Sequence, residues 1–211
     1  FDDGSGAYHL QFYNGTSVTT VETGDDNTFN STLRGFHLNR GRLVYEKLVN
    51  GIRQIFLYDS TASNPAAVQL TTETDASLGN FSPRTDGRHI AWLHGNANGT
   101  DVHIIFNGGV QLTDTTTRPA DLGITTEHPF QLHRGQLFWT DLGGSFRYHD
   151  GSGIATIDQA PSTSVVTQLG SPCCLPWLAD GFVHWIGLSN DGGADSEVFR
   201  FTGTAPANTQ Q

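Results

Sequence analysis

A glycine recurs along this chain at a nearly fixed interval. Gly41, Gly87, Gly135 and Gly181 stand 46, 48 and 46 residues apart. Each opens the same short phrase. Gly41 leads into Leu43-Val44-Tyr45 and Gly87 into His89-Ile90-Ala91-Trp92. Gly135 leads into Leu137-Phe138-Trp139 and Gly181 into Phe182-Val183-His184-Trp185. The phrase reads as a turn glycine followed by a strand that ends in a large aromatic. Self-similarity at this period means that one small unit is stacked on copies of itself, since no such unit buries both its faces alone.

The other strands fall around these glycines. Runs at 9–14, 55–59, 102–107, 146–150 and 198–203 are rich in β-formers and close on a turn residue. Four of them are followed by a further strand, at 17–22, 68–71, 110–113 and 154–157. Asn14-Gly15, Asn107-Gly108-Gly109 and Asp150-Gly151 mark hairpins. A fourth short strand precedes each repeat glycine, at 35–38, 80–82, 129–132 and 175–178. Composition agrees: 25 Gly, no Met and only 15% charged residues suit many short strands rather than helices. Four strands per unit of about 46 residues predict an all-β, β-propeller-type array of four-stranded antiparallel blades. The first strand of each blade is then innermost and the fourth outermost. The repeat-equivalent aromatics Tyr45, Trp92, Trp139 and Trp185 are expected to pack between blades.

The fullest copy carries a resemblance. Asp86-Gly87, then Ile90-Ala91-Trp92, then the run from Val102 through Asn107-Gly108-Gly109, then Val110-Gln111-Leu112-Thr113 resemble TolB-type β-propeller repeats of secreted and periplasmic proteins. Residues 40–72, 135–157 and 180–203 match less fully. The resemblance implies the fold and leaves the function open, because such repeats serve translocation partners, peptidase gating domains and glycan-active enzymes alike. The chain departs from the pattern at 161–167, where a connection is lengthened, and at the adjacent Cys173 and Cys174.

One domain over 1–211 follows, with a partial blade at 1–34, blades at about 35–79, 80–127 and 128–174, and a partial blade at 175–211. That makes seventeen strands and four to five blades, and both ends carry a third-type strand. Three arrangements fit: a segment of a larger ring, a small ring whose ends share a sheet, or an open array whose end strands pair with neighbouring chains.

Propellers bind ligands at the mouths of their central channel. Eight and seven residues before the repeat glycines lie Arg34, Asn80, Glu127, His128, Cys173 and Cys174, a candidate ring of polar groups at the axial mouth. Trp177, beside the cysteines on an inner strand, is a candidate to stack on a sugar ring. The thiolates with His128 and Glu127 are one candidate soft-metal set. Adjacent cysteines chelate one ion poorly, so a vicinal disulfide between Cys173 and Cys174, or two quiet thiols, is the plainer reading. Asp191, Asp195 and Glu197 offer oxygen ligands to Ca²⁺, without the spacing of an EF-hand, against the plainer reading of a hairpin loop. Asp25-Asp26 with Asp2-Asp3 is a weaker set. None of the nine histidines forms H-x-H or H-E-x-x-H, so cross-strand partnership is their expected role.

The net charge of −10 argues against nucleic acid and anionic bilayers as partners. No apolar run approaches the 18 residues that suggest a membrane span. No signal peptide is visible at Phe1; either processing removed it or the chain is cut from something longer. The Lys-poor, Thr-rich surface and the sequons at Asn14, Asn30, Asn80 and Asn98 point to an extracellular or periplasmic, candidate glycoprotein. No G-x-S-x-G, phosphate loop or zinc-protease motif occurs. The expectation is a non-catalytic binding or assembly module for a protein or glycan partner, self-assembly through the end strands included. The alternative is a glycan-active or metal-dependent enzyme at the axial mouth, which needs Glu127 near Asp75, Asp121 or a bound ion.

Overall fold

A computed structural model describes residues 7–24, 35–119, 130–143, 145–157, 177–179, 182–188 and 196–201; at 157 and beyond the backbone alone is described. Among these residues every regular element is a strand, and there are seventeen. They form five antiparallel sheets in chain order, with two strands in the first, four in each of the next three and three in the last. The first holds β1 (Tyr8–Tyr13) and β2 (Val18–Gly24). The second runs β3 (Phe36–Asn39), β4 (Arg42–Val49), β5 (Ile52–Asp59) and β6 (Ala67–Gln69). The third runs β7 (Leu78–Thr85), β8 (Ile90–Asn96), β9 (His103–Phe106) and β10 (Val110–Gln111). The fourth runs β11 (Phe130–His133), β12 (Gln136–Thr140), β13 (Phe146–His149) and β14 (Ile154–Ile157). The fifth holds β15 (Trp177–Ala179), β16 (Phe182–Leu188) and β17 (Ser196–Phe201).

Turn chemistry fixes this meander. Arg40-Gly41, Asn50-Gly51 and Arg134-Gly135 each place two residues at positive φ, the two-residue hairpin geometry that matches strand twist. The edge strands β6 and β10 stop early because a side chain takes the place of the next backbone acceptor. After β6, the Thr71 hydroxyl accepts the N–H of Ile55 at 2.9 Å. After β10, the Thr113 hydroxyl accepts the N–H of Ile104 at 2.9 Å. A side chain thus replaces the next backbone carbonyl. Gln69 and Gln111 donate their amides to the carbonyls of Thr71 (2.6 Å) and Thr113 (2.9 Å). The Val-Gln-Leu-Thr phrase therefore builds the same knot twice.

The cores lie between consecutive sheets. Leu43 and Tyr45 join Phe12 from the first sheet. Their neighbour Val44 points the other way, with Ile55, to meet Ile90, Trp92 and Ile105 of the third. Ala91, Leu93, Val102 and Ile104 leave the opposite face of the third sheet to meet Phe130, Leu137 and Trp139. Period-2 alternation makes this possible, since each middle strand is apolar on both faces. Tyr45, Trp92 and Trp139 all face the preceding sheet. The first strands also touch in series, β3 with β7, β7 with β11 and β11 with β15. No helix among the described residues is long and apolar enough to cross a membrane.

β7 departs from the expected short strand at 80–82. It runs eight residues and carries a bulge, its register slipping between Phe81 and Arg84. Pro83 has no N–H to give a ladder, and Ser82 sits at φ 48°. The freed N–H of Ser82 donates to Glu46 Oε1 at 2.6 Å.

Candidate functional site

The β6–β7 connection and the β4–β5 and β8–β9 turns gather at one end of the second and third sheets. A cleft of about 290 Å³ opens there, lined by Thr71, Thr72, Glu73, Asn80, Trp92, His94 and Ile105.

Its floor is a hydrogen-bonded network anchored on Gln54, a buried residue near the start of β5. Gln54 Oε1 accepts from Thr71 Oγ1 (2.7 Å), from the N–H of Glu73 (3.1 Å) and from Asn80 Nδ2 (3.4 Å). Gln54 Nε2 donates to the Glu73 carbonyl at 2.6 Å. Asn80 ties the sheets together. Its amide also donates to the Arg53 carbonyl at 3.3 Å, and its oxygen accepts the Trp92 indole N–H at 3.0 Å. Below this, the buried Glu46 takes Arg53 at 3.0 Å as well as Ser82. Burial pushes the Glu46 carboxyl up, against the Ser82 N–H and the charges of Arg53 and the buried Arg84.

At the mouth, His94 Nε2 lies 2.9 Å from Glu73 Oε2. An ionised carboxylate can only accept, so Nε2 carries the proton. Glu73 Oε1 accepts the N–H groups of Thr74 (2.8 Å) and Asp75 (2.9 Å). The Asp75 N–H, then the His94 ring, hold the Glu73 carboxyl below its usual range. Glu73 is therefore held in its anionic form. What the cleft can offer a ligand is the outer face of that anion, the His94 Nδ1 and the hydroxyl of Thr72.

Only one of the polar residues expected at the axial mouth can be placed. Asn80 is 3% exposed and lies inside β7, not on a loop. It is a structural clasp under the cleft. Its amide is engaged in the interior, unlike those of the exposed Asn14 and Asn98. Asn14 and Asn98 are exposed at turns, each side-chain oxygen capping the backbone two residues on at 2.9 and 3.0 Å. Arg34, Glu127, His128, Cys173, Cys174, Asn30, Asp191 and Asp195 lie outside the described residues, as do Asp2, Asp3, Asp25, Asp26 and Asp121. Trp177 begins β15, paired in register with His184, and Glu197 lies on β17 opposite Gly187. Asp75, named for a two-carboxylate mechanism, accepts from the N–H and hydroxyl of Ser77. Among the described residues no three His, Cys, Asp or Glu side chains are placed to hold a metal ion. Three histidines serve the scaffold: His89 contacts Asp86, His103 the Thr113 carbonyl, and His149 the Gly153 carbonyl.

Glu73, His94 and Gln54 were not legible as a site. Thr71 had a signal in the repeated Val-Gln-Leu-Thr, but Glu73 and His94 are 21 residues apart and meet because the connection after β6 packs against β8 of the next sheet. The chain matches no protein-family model and no curated protein sequence.

Proposed function

We propose that the chain is a β-propeller-type domain of the TolB kind, exported to the periplasm or the cell exterior, and that it acts as a non-catalytic binding module. The observation that carries the fold reading is the serial contact of β3, β7, β11 and β15, with Tyr45, Trp92 and Trp139 all turned toward the preceding sheet. Inner strands that crowd together are what sheets radiating from one axis produce. Such an array presents its loops at two ends, and the cleft with Glu73 and His94 lies at one of them.

The cleft supports binding rather than turnover. Glu73 accepts three N–H donors, which stabilise its charge and lower its basicity while leaving acceptor capacity toward the cleft. A fixed carboxylate, an imidazole nitrogen and a hydroxyl around a small cleft suit a hydroxyl-bearing group such as one sugar residue of a glycan partner. The test is a titration of the protein with neutral oligosaccharides, followed by NMR shifts of the Trp92 indole and His94 ring. Saturable shifts that vanish in His94→Ala are expected. Steady hydrolysis of an oligosaccharide by the pure protein overturns the non-catalytic reading. Shifts at neither residue overturn the cleft as the place of binding.

A further inference from the structure

The cleft at the end of the second and third sheets has spent its donors. Each side-chain nitrogen of its floor already donates to a protein acceptor. Gln54 Nε2 goes to the Glu73 carbonyl, Asn80 Nδ2 to the Arg53 carbonyl and Gln54 Oε1, and the Trp92 indole to Asn80 Oδ1. The Thr71 hydroxyl donates to Gln54 Oε1 and accepts from the Ile55 N–H. His94 has committed its Nε2 proton to Glu73 at 2.9 Å.

What remains for a ligand is acceptors. Glu73 Oε1 takes two backbone N–H groups, but Oε2 takes only His94 and keeps a lone pair. With Nε2 protonated, the neutral imidazole of His94 holds a lone pair on Nδ1. Neither that nitrogen nor the hydroxyl of the exposed Thr72 bonds any described residue. All three residues line the same cleft. The charge has the same bias. Glu22, Glu46, Asp59 and Asp141 each pair with a Lys or Arg. Among the described residues no Lys or Arg pairs with Glu73, whose only ion-pair partner is His94.

We propose that the cleft selects a sugar residue that carries a protonated primary amine, so that its glycan partner is an amino-sugar chain rather than a neutral or acidic one. The proposal rests on the reading of the cleft as a glycan site and names the class of glycan. An ammonium is all donor, with three N–H groups and no acceptor, which complements a carboxylate, an imidazole lone pair and a hydroxyl oxygen. A neutral sugar hydroxyl brings lone pairs as well, and the cleft has only the Thr72 hydroxyl left to donate to them. A sulfate, phosphate or uronate brings acceptors alone and the wrong charge. Hydrogen bonds between two charged groups are stronger than neutral ones, and a net charge of −10 draws cations toward the protein. A lysine side chain carries the same ammonium on an apolar stem. The apolar groups of the lining, Trp92 and Ile105, are only 4% and 7% exposed, so such a stem has little to rest on.

The experiment titrates the full chain at neutral pH and low salt, following the Trp92 indole and the His94 ring by NMR. The probes are the methyl glycoside of 6-amino-6-deoxyglucose, whose alkyl amine stays protonated as a lysine's does, its N-acetyl derivative, and methyl glucoside. N-acetyl-lysine amide presents the same ammonium without a sugar ring. The amino sugar should bind ~10-fold tighter than the glucoside or the N-acetyl derivative, and added salt should narrow that gap. Glu73→Gln should abolish the preference and leave the glucoside little changed. Thr72→Val removes an exposed hydroxyl with no protein partner and should weaken the amino sugar with the unfolding midpoint unchanged, which keeps the test open if Glu73→Gln proves unstable. An amino sugar that binds no tighter than the glucoside, a preference that survives either variant in full, or a lysine derivative that binds as tightly overturns the proposal while the cleft stands as a glycan site. Shifts with none of the sugars overturn that site as well.

Discussion

Single residues here are defined by what they release when changed. Asn80 satisfies the Trp92 indole on one side and the second sheet on the other. Asn80→Leu fits the space approximately yet orphans that indole N–H, so a loss of about 1–3 kcal/mol is expected in urea unfolding. Asp86 gives a pH signature. Burial alone would push its carboxyl up, but the His89 N–H and ring, with the N–H groups of Arg88 and Gly135, bring it down to about 2. A folded value below the unfolded one means that the stabilisation is complete above the ordinary aspartate range near 3.8 and fades as pH falls toward 2. Asp86→Asn should therefore lower the unfolding midpoint at neutral pH and flatten its dependence over that acid window. An unchanged slope between pH 4 and pH 2 would remove Asp86 from the account. Glu46 works in the opposite sense. Its raised value means that its contribution is present at low pH and lost as pH rises through the folded value.

Elements show where reading the sequence succeeds. The strand order and all seventeen strands were legible because each hairpin is closed by local turn chemistry, such as Arg134-Gly135 and Asn50-Gly51. Strand ends were less legible. β4 runs to Val49, beyond the Leu-Val-Tyr phrase, because its tail pairs residue by residue with β5 out to the Asn50-Gly51 turn. The β7 bulge was only half legible: Pro83 marks a break in the ladder, but Glu46, which accepts the freed N–H of Ser82, lies 36 residues earlier. The cleft was hidden for the same reason: Glu73 meets His94, and Gln54 meets Asn80, through register and sheet packing that no local pattern encodes. The knot after β6 and after β10 supplies an element-scale prediction. Thr71→Val and Thr113→Val each leave a buried N–H, on Ile55 and on Ile104, without an acceptor. Each should cost about 1–3 kcal/mol, and amide exchange should accelerate at that one N–H first.

At the scale of the whole molecule, stability is carried by interfaces between neighbouring sheets, as in other repeat arrays. Trp139 is 1% exposed in the core between the third and fourth sheets, and its indole N–H donates to the Thr117 carbonyl at 2.7 Å. Trp139→Ala should cost about 3–5 kcal/mol. β8 contributes to the cores on both its faces. Its amides should be among the slowest to exchange, and Trp139→Ala should speed β12 more than β4. Uniform acceleration across all sheets would mean that the array unfolds as one block. The Val-Gln-Leu-Thr knot also leaves its mark on the rim. Strands of three and two residues, each with its following carbonyl capped by a glutamine amide, expose Val68 and Val110 yet give an incoming chain almost no ladder to copy. The β6 and β10 edges are thereby made poor seeds for fibrils, and crowding at high concentration should not zip neighbouring molecules together along these two edges.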